Sequence, residues 1–149
     1  GELDGLSQPA LALSAPDVTG EVKGDGLLTM EKILTLKLNA DWVVLSACNT
    51  ASGEGAGAEA VSGLGRAFFY AGARALLVSN WPVDSEAARM LMTDMFKRQQ
   101  QKQGQNKAEY LQASMVNMID SLSSQDAKGK SRYSYAHPLF WAPFVVVGD

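Results

Sequence analysis

The chain is poor in the residues that carry most enzyme chemistry. Its 149 residues include one cysteine and one histidine. A single cysteine cannot close an internal disulfide, so the reading is of a protein from a reducing compartment. One Cys and one His, at no ligand spacing, cannot make a zinc site, and no metal or other cofactor is expected. Excess positive charge is also missing. Thirteen Lys and Arg face sixteen Asp and Glu, for a net charge of -3, which argues against direct nucleic-acid binding. No stretch approaches the roughly 18 apolar residues of a membrane helix, so no membrane partner is expected. There is no initiator Met and no secretory signal at the start. The opening "GELDGLSQPALALSAP" reads as the middle of a domain that continues upstream of Gly1.

The rest has the composition of a globular fold. The hydrophobic fraction is 46%, and the length suits one domain with its own core. Residues 9–15 (PALALSA) form a short apolar run, predicted to be a strand. The "GDG" within 18–28 marks a hairpin or loop. Thr29 is placed to cap a short helix through Leu36. WVVLSA at 42–47 is a continuous apolar run, as in a strand covered on both faces.

Residues 58–71 (AEAVSGLGRAFFYA) predict a helix whose glycines at 63 and 65 allow close packing on the sheet, with Gly72 ending it. ALLVSN at 75–80 is the next strand, broken by Trp81 and Pro82. Asp84 or Ser85 caps a helix to about Gln103, with Ala87, Ala88, Leu91, Met92, Met95 and Phe96 on one face. Gly104 closes it. A further helix over 107–122 turns Ala108, Leu111, Met115, Met118 and Ile119 inward. Ser123 to Tyr135 is polar and reads as a mobile connection, and FVVV at 144–147 is the last strand. The Gln-rich KRQQQKQGQNK reads as a solvated helix end. This alternation predicts an α/β fold, a mostly parallel sheet flanked by helices in a single domain over 1–149.

The chemistry has few candidates. In open α/β sheets, ligands gather at the carboxyl ends of the strands. Cys48 lies one residue past such an end, where a thiol can act as nucleophile. The plainer reading is a small buried hydrophobe. Asp84, Ser79 and Asn80 hold the same relation to the next strand. Gly55 to Ala60 (GAGAEA) fits G-x-G-x-x-G/A. The run from Ala47 to Gly55 is too long for a dinucleotide turn, and no acid follows at the right distance. His137, in HPLFWAP beside two prolines and a tryptophan, reads as a structural residue rather than the base that Cys48 would need.

Three segments, ADWVVLSACNT, GEGAGAEAVSGLGRAFFYAGARALLVSNWPVD and HPLFWAPFVVVGD, occur in order over nearly the whole chain. Together they strongly resemble the CHAT domain, a caspase-like family found beside tetratricopeptide repeats. The resemblance implies a caspase-like three-layer α/β fold and a cysteine peptidase with a Cys–His dyad. It implies Cys48 as nucleophile, a His-Gly pair at or just before Gly1, and an oxyanion hole from the N–H groups of Gly1 and Cys48. The loop SNWPVD would line the pocket for the residue before the scissile bond, with Asn80, Trp81 and Asp84, and Asp84 would favour a basic residue there.

A protein or peptide substrate follows, with an upstream repeat or sensor domain, in a cytoplasmic, bacterial protein. The domain is expected to be incomplete at its N-terminus. Without its histidine the segment by itself is expected to be inactive, with a thiol near or above its free pKa of about 8.5. The alternative is a caspase-like scaffold that binds proteins without catalysis.

Overall fold

The computed structural model describes residues 10–14, 26–45, 63–101, 104–121, 123–125 and 131–148. The first strand, β1 (Ala10–Ala12), pairs antiparallel with β2 (Leu27–Thr29), Leu11 opposite Leu28. Gly26 has φ 68° and accepts from Leu13 N–H at 2.7 Å. The last glycine of GDG thus adopts the left-handed turn conformation open to glycine. Thr29 then caps α1 (Met30–Leu34), its hydroxyl accepting from Lys32 N–H at 3.3 Å. The helix stops two residues short of Leu36.

The central sheet has the order β3-β4-β7, with β3 (Val43–Leu45), β4 (Ala75–Ser79) and β7 (Phe144–Gly148). Every residue of β4 is buried, which explains its unbroken apolar run. β3 and β4 are parallel, Leu45 beside Val78. β4 and β7 are antiparallel, Ser79 beside Phe144 and Ala75 beside Gly148.

The fold is mixed α/β, and among the described residues one parallel and one antiparallel pair form this sheet. The reason is the number of helices between strands. Among the described residues one helix, α2 (Gly63–Tyr70), lies between β3 and β4 and returns the chain to its starting end. Two helices, α3 (Ser85–Gln101) and α4 (Lys107–Ser121), lie between β4 and β7. Their short connection makes them antiparallel neighbours, so the chain comes back to the end it left and β7 runs the other way.

The sheet's two faces are both covered, giving three layers. Leu76 and Val78 of β4 pack with Ile33 of α1 and Leu64, Ala67 and Phe68 of α2. Leu77 faces the other way, onto Leu91 and Met95 of α3 and Tyr110, Leu111 and Met118 of α4. Alternation along one strand thus feeds both cores. Burying each Leu, Ile, Val, Phe or Met among them stabilises by about 1.5–3 kcal/mol.

Gly72, φ 104°, ends α2 as expected. Its N–H donates to Phe69 O at 3.0 Å and that of Ala73 to Phe68 O at 3.0 Å, the two bonds of a Schellman motif. Gly63 departs from expectation: it is exposed, and an added Cβ would only touch Met30 Sδ of α1 at 3.4 Å, not the sheet.

The inward stripe of α4 also differs. Tyr110, Leu111, Ser114 and Met118 are buried, while Ala108 and Ile119 are exposed. Tyr110 can turn in because its ring is apolar and its hydroxyl accepts from Gln105 N–H at 3.3 Å. The segment expected to be mobile is partly ordered. Here β5 (Ser123–Gln125) pairs antiparallel with β6 (Ser131–Ser134), and Tyr135 is 2% exposed.

Candidate active site

The parallel pairing brings the ends of β3 and β4 out at one edge of the sheet, Leu45 level with Val78. Cys48 is three residues beyond Leu45 in sequence. It, Gly1 and the Gly55–Ala60 motif lie outside the described residues. The other three site residues are described, and all leave from the end of β4.

Asn80 is tied down. Its backbone N–H donates to Pro143 O at 3.0 Å and its side-chain Nδ2 to the same oxygen at 3.2 Å. This double bond to one carbonyl fixes the start of the SNWPVD loop against the approach to β7. Trp81 is 36% exposed. Asp84 is exposed and caps α3: its Oδ1 accepts from Ala87 N–H at 2.8 Å, and its carbonyl accepts from Ala88 N–H at 2.9 Å. A carboxylate has about four lone-pair sites, so the cap leaves capacity to receive a cation.

His137 serves the backbone. It caps the 3-10 turn Pro138–Phe140, with Nδ1 accepting from Leu139 N–H at 3.2 Å. That is the structural role expected of it.

Two features at this edge were not anticipated. Tyr133 stacks on Phe140, centroids 5.8 Å apart and planes at 10°, and Tyr135 meets both edge-on at 5.4 and 5.0 Å. Trp141 Nε1 closes the segment by donating to Ala136 O at 3.1 Å. The aromatic spacing in YSYAHPLFW was the available signal. On the first turn of α3, Arg89 grips Glu86 through two bonds, of 2.6 and 3.0 Å. Hydrogen bonding to Arg89 holds the Glu86 carboxyl below its ordinary value, against the opposing effect of desolvation, and Glu86 in turn raises the Arg89 pKa.

Two surface hollows lie elsewhere. One of about 630 Å³ follows α3 and α4 between Arg98, Glu109 and Val116. One of about 470 Å³ lies at Asp41, Gln99 and Lys107. Neither includes Asn80, Trp81 or Asp84. Among the described residues no group of three or more His, Cys, Asp or Glu could hold a metal. No helix among them is long and apolar enough to cross a membrane.

The model of the CHAT domain matches residues 2–149. The chain belongs to the CHAT domain family. It is 30% identical over 126 residues to tetratricopeptide repeat protein 28 of Mus musculus, and 29% identical over 129 residues to the Homo sapiens protein of the same name. Each match covers 83% of this chain and 4% of the relative's length. No solved structure matches significantly.

Proposed function

We propose that this CHAT domain supplies the nucleophile of a cysteine endopeptidase with a Cys–His dyad. The observation that carries the reading is the parallel register of β3 and β4. The chain from Leu45 to Cys48 can reach at most about 11 Å, and it departs level with Val78, two residues before Asn80. Leu45, three residues before Cys48 in sequence, and Val78, two before Asn80, thus end at the same side of the sheet, the side where α/β folds bind ligands.

In this mechanism a histidine preceding Gly1 takes the thiol proton of Cys48. The sulfur attacks the peptide carbonyl, and the oxyanion is held by the N–H groups of Gly1 and Cys48. The C–N bond breaks as the imidazolium returns the proton to the leaving amine. Water then hydrolyses the thioester. Asn80, Trp81 and Asp84 line the pocket for the residue before the scissile bond, and Asp84 selects a basic one. The caspase-like layering, the single domain continuing before Gly1, the cytoplasmic setting and the upstream repeats belong to the same proposal. A bacterial source is likewise proposed, the two relatives being mammalian.

A second reading, a non-catalytic scaffold for protein binding, is favoured by one observation. The chain's only histidine is engaged in capping Pro138–Phe140, so the base must come from elsewhere. Alkylation of Cys48 in the full-length protein separates the two. A dyad keeps the thiolate well below the free value of about 8.5, so iodoacetamide reacts fast at pH 6, peptide cleavage is lost in Cys48→Ala, and His137→Ala leaves the pH profile in place. A rate that simply follows titration near 8.5, with cleavage absent, supports the scaffold.

A further inference from the structure

We propose that the α3–α4 layer is a methionine-based redox switch. Peroxide oxidises Met90, Met92 and Met115 at its rim, and the layer then loosens from the sheet while the α1–α2 layer stays packed. The inference goes beyond the peptidase reading and holds whether or not Cys48 is catalytic.

The chain has six methionines, and they are unevenly placed. Met90, Met92 and Met95 lie on α3, Met115 and Met118 on α4. All five pack in the core on the Leu77 side of β4. The sixth, Met30, sits at the margin of the opposite core, whose centre is Ile33, Leu45, Leu64, Phe68, Leu76 and Val78. The two faces of one strand are thus filled with different chemistry, thioethers on one and hydrocarbon on the other. Burial then grades the five. Met95 and Met118 are 0% exposed, whereas Met90, Met92 and Met115 are partly buried at the edge of the cluster. Met90 and Met92 flank the buried Leu91, and Met115 precedes Met118 by about one helical turn.

Oxidation therefore takes the rim first. The sulfur lone pair attacks one oxygen of hydrogen peroxide, the O–O bond breaks, and the other oxygen leaves as water after proton transfer. The thioether loses two electrons and gains one oxygen. The sulfoxide is a polar acceptor that an apolar core does not hold, so it turns to water and draws its side chain out. Met95 and Met118 then lose their cover. A dithiol-dependent methionine sulfoxide reductase reverses the step, the oxygen leaving as water while the dithiol becomes a disulfide.

This layer is also the one with strain to release. Ser114 Oγ on α4 and Nε1 of Trp42, which packs against the same core, are buried with no hydrogen-bond partner, and each such group weakens the packing around it. Because α3 starts at Ser85, directly after Asp84, loosening it reaches the SNWPVD loop.

The test uses the full-length protein carrying Cys48→Ala, so that this thiol takes no oxidant. After hydrogen peroxide, peptide mass spectrometry places the sulfoxides and amide hydrogen exchange is followed segment by segment. Sulfoxide should appear at Met90, Met92 and Met115 before Met95 and Met118. Exchange in the α3 and α4 peptides should then rise about tenfold or more, the scale of one polar group forced on a core, with α1 and α2 unchanged. The reductase should restore both mass and exchange. Met90→Leu, Met92→Leu and Met115→Leu together keep the volume and remove the sulfur, and should abolish the response. Met115→Gln should raise exchange in the same peptides without oxidant, and it carries the test if the leucine variant melts well below wild type.

Sulfoxide at the three rim sites with exchange in α3 and α4 unchanged overturns the switch. So does an equal rise in both layers, a leucine variant that responds like wild type, a Met115→Gln protein that exchanges like wild type, or a rim left unoxidised while Met30 reacts.

Discussion

The two ends of the central sheet are built by different means. At the amino end, backbone meets backbone. Gly72 and Ala73 close α2, Leu38 N–H donates to Ala71 O at 2.6 Å, Arg74 N–H donates to Ala40 O at 2.9 Å, and Ala40 bridges Ala73. At the carboxyl end, side chains add to the backbone bonds: Asn80 on Pro143, Asp84 on Ala87, His137 on Leu139, Trp141 on Ala136. Backbone joints accept any side chain that fits, but they are intolerant where the chain passes too close for a Cβ. Side-chain joints can be changed one residue at a time. The end that carries the proposed site is therefore the end that can vary without loss of the fold.

The largest expected effect is at the amino end. A Cβ on Gly72 would stand 2.2 Å from Leu38 O, and its φ of 104° disfavours any L side chain. Gly72→Ala must move the α1–β3 connection or unwind the last turn of α2. The expected loss is about 3 kcal/mol or more, a fall in melting temperature of roughly 10 °C. A melting curve that superimposes on wild type would show that the amino end is not the rigid one.

Much of the fold was legible because its signals are local. Thr29, Gly72 and Asp84 announced their helix ends, and each makes the cap its residue type suggests. ALLVS and FVVV read as strands because burial on both faces leaves no room for polar alternation. What failed was non-local. The direction of β7 depends on two helices folding back as a hairpin, which no single segment states. The inward turn of Tyr110 depends on its hydroxyl accepting from the N–H of Gln105. The order around Tyr133 and Tyr135 comes from Phe140, several residues on, beyond any window set by polarity. Asn80, Trp81 and Asp84 were singled out because they follow a strand.

Asp84 tests the carboxyl end, at a smaller scale. Alanine removes the cap of α3 and is expected to lower stability by about 1 kcal/mol, or some 2–4 °C. Asparagine keeps a capping oxygen and removes only the charge. Asp84→Asn should therefore melt near wild type while, on the proposed peptidase reading, the full-length protein loses about tenfold or more of a preference for a basic residue before the scissile bond, the scale of a charged hydrogen bond. If the preference is intact in Asp84→Asn, the residue is a cap and nothing else. That would make this end as structural as the other.

The smallest effect is expected from Glu86 and Arg89, which also lie at the carboxyl end. Their side chains are 53% and 63% exposed, so solvent and salt screen the pair. The sign is still fixed. The Glu86 carboxyl titrates below its ordinary value of 4.5 in the fold, chiefly because Arg89 donates to it. Its contribution is therefore present above the unfolded pKa and is lost as pH falls through the lower, folded one. Wild type should melt slightly above Glu86→Gln near neutral pH. The gap should close below about pH 4, and it should narrow at about 1 M salt, where the screening length is only some 3 Å. A gap that widened in acid would reverse the assigned shift. A gap as large as that of Asp84→Ala would mean that surface charge, not capping, holds the start of α3.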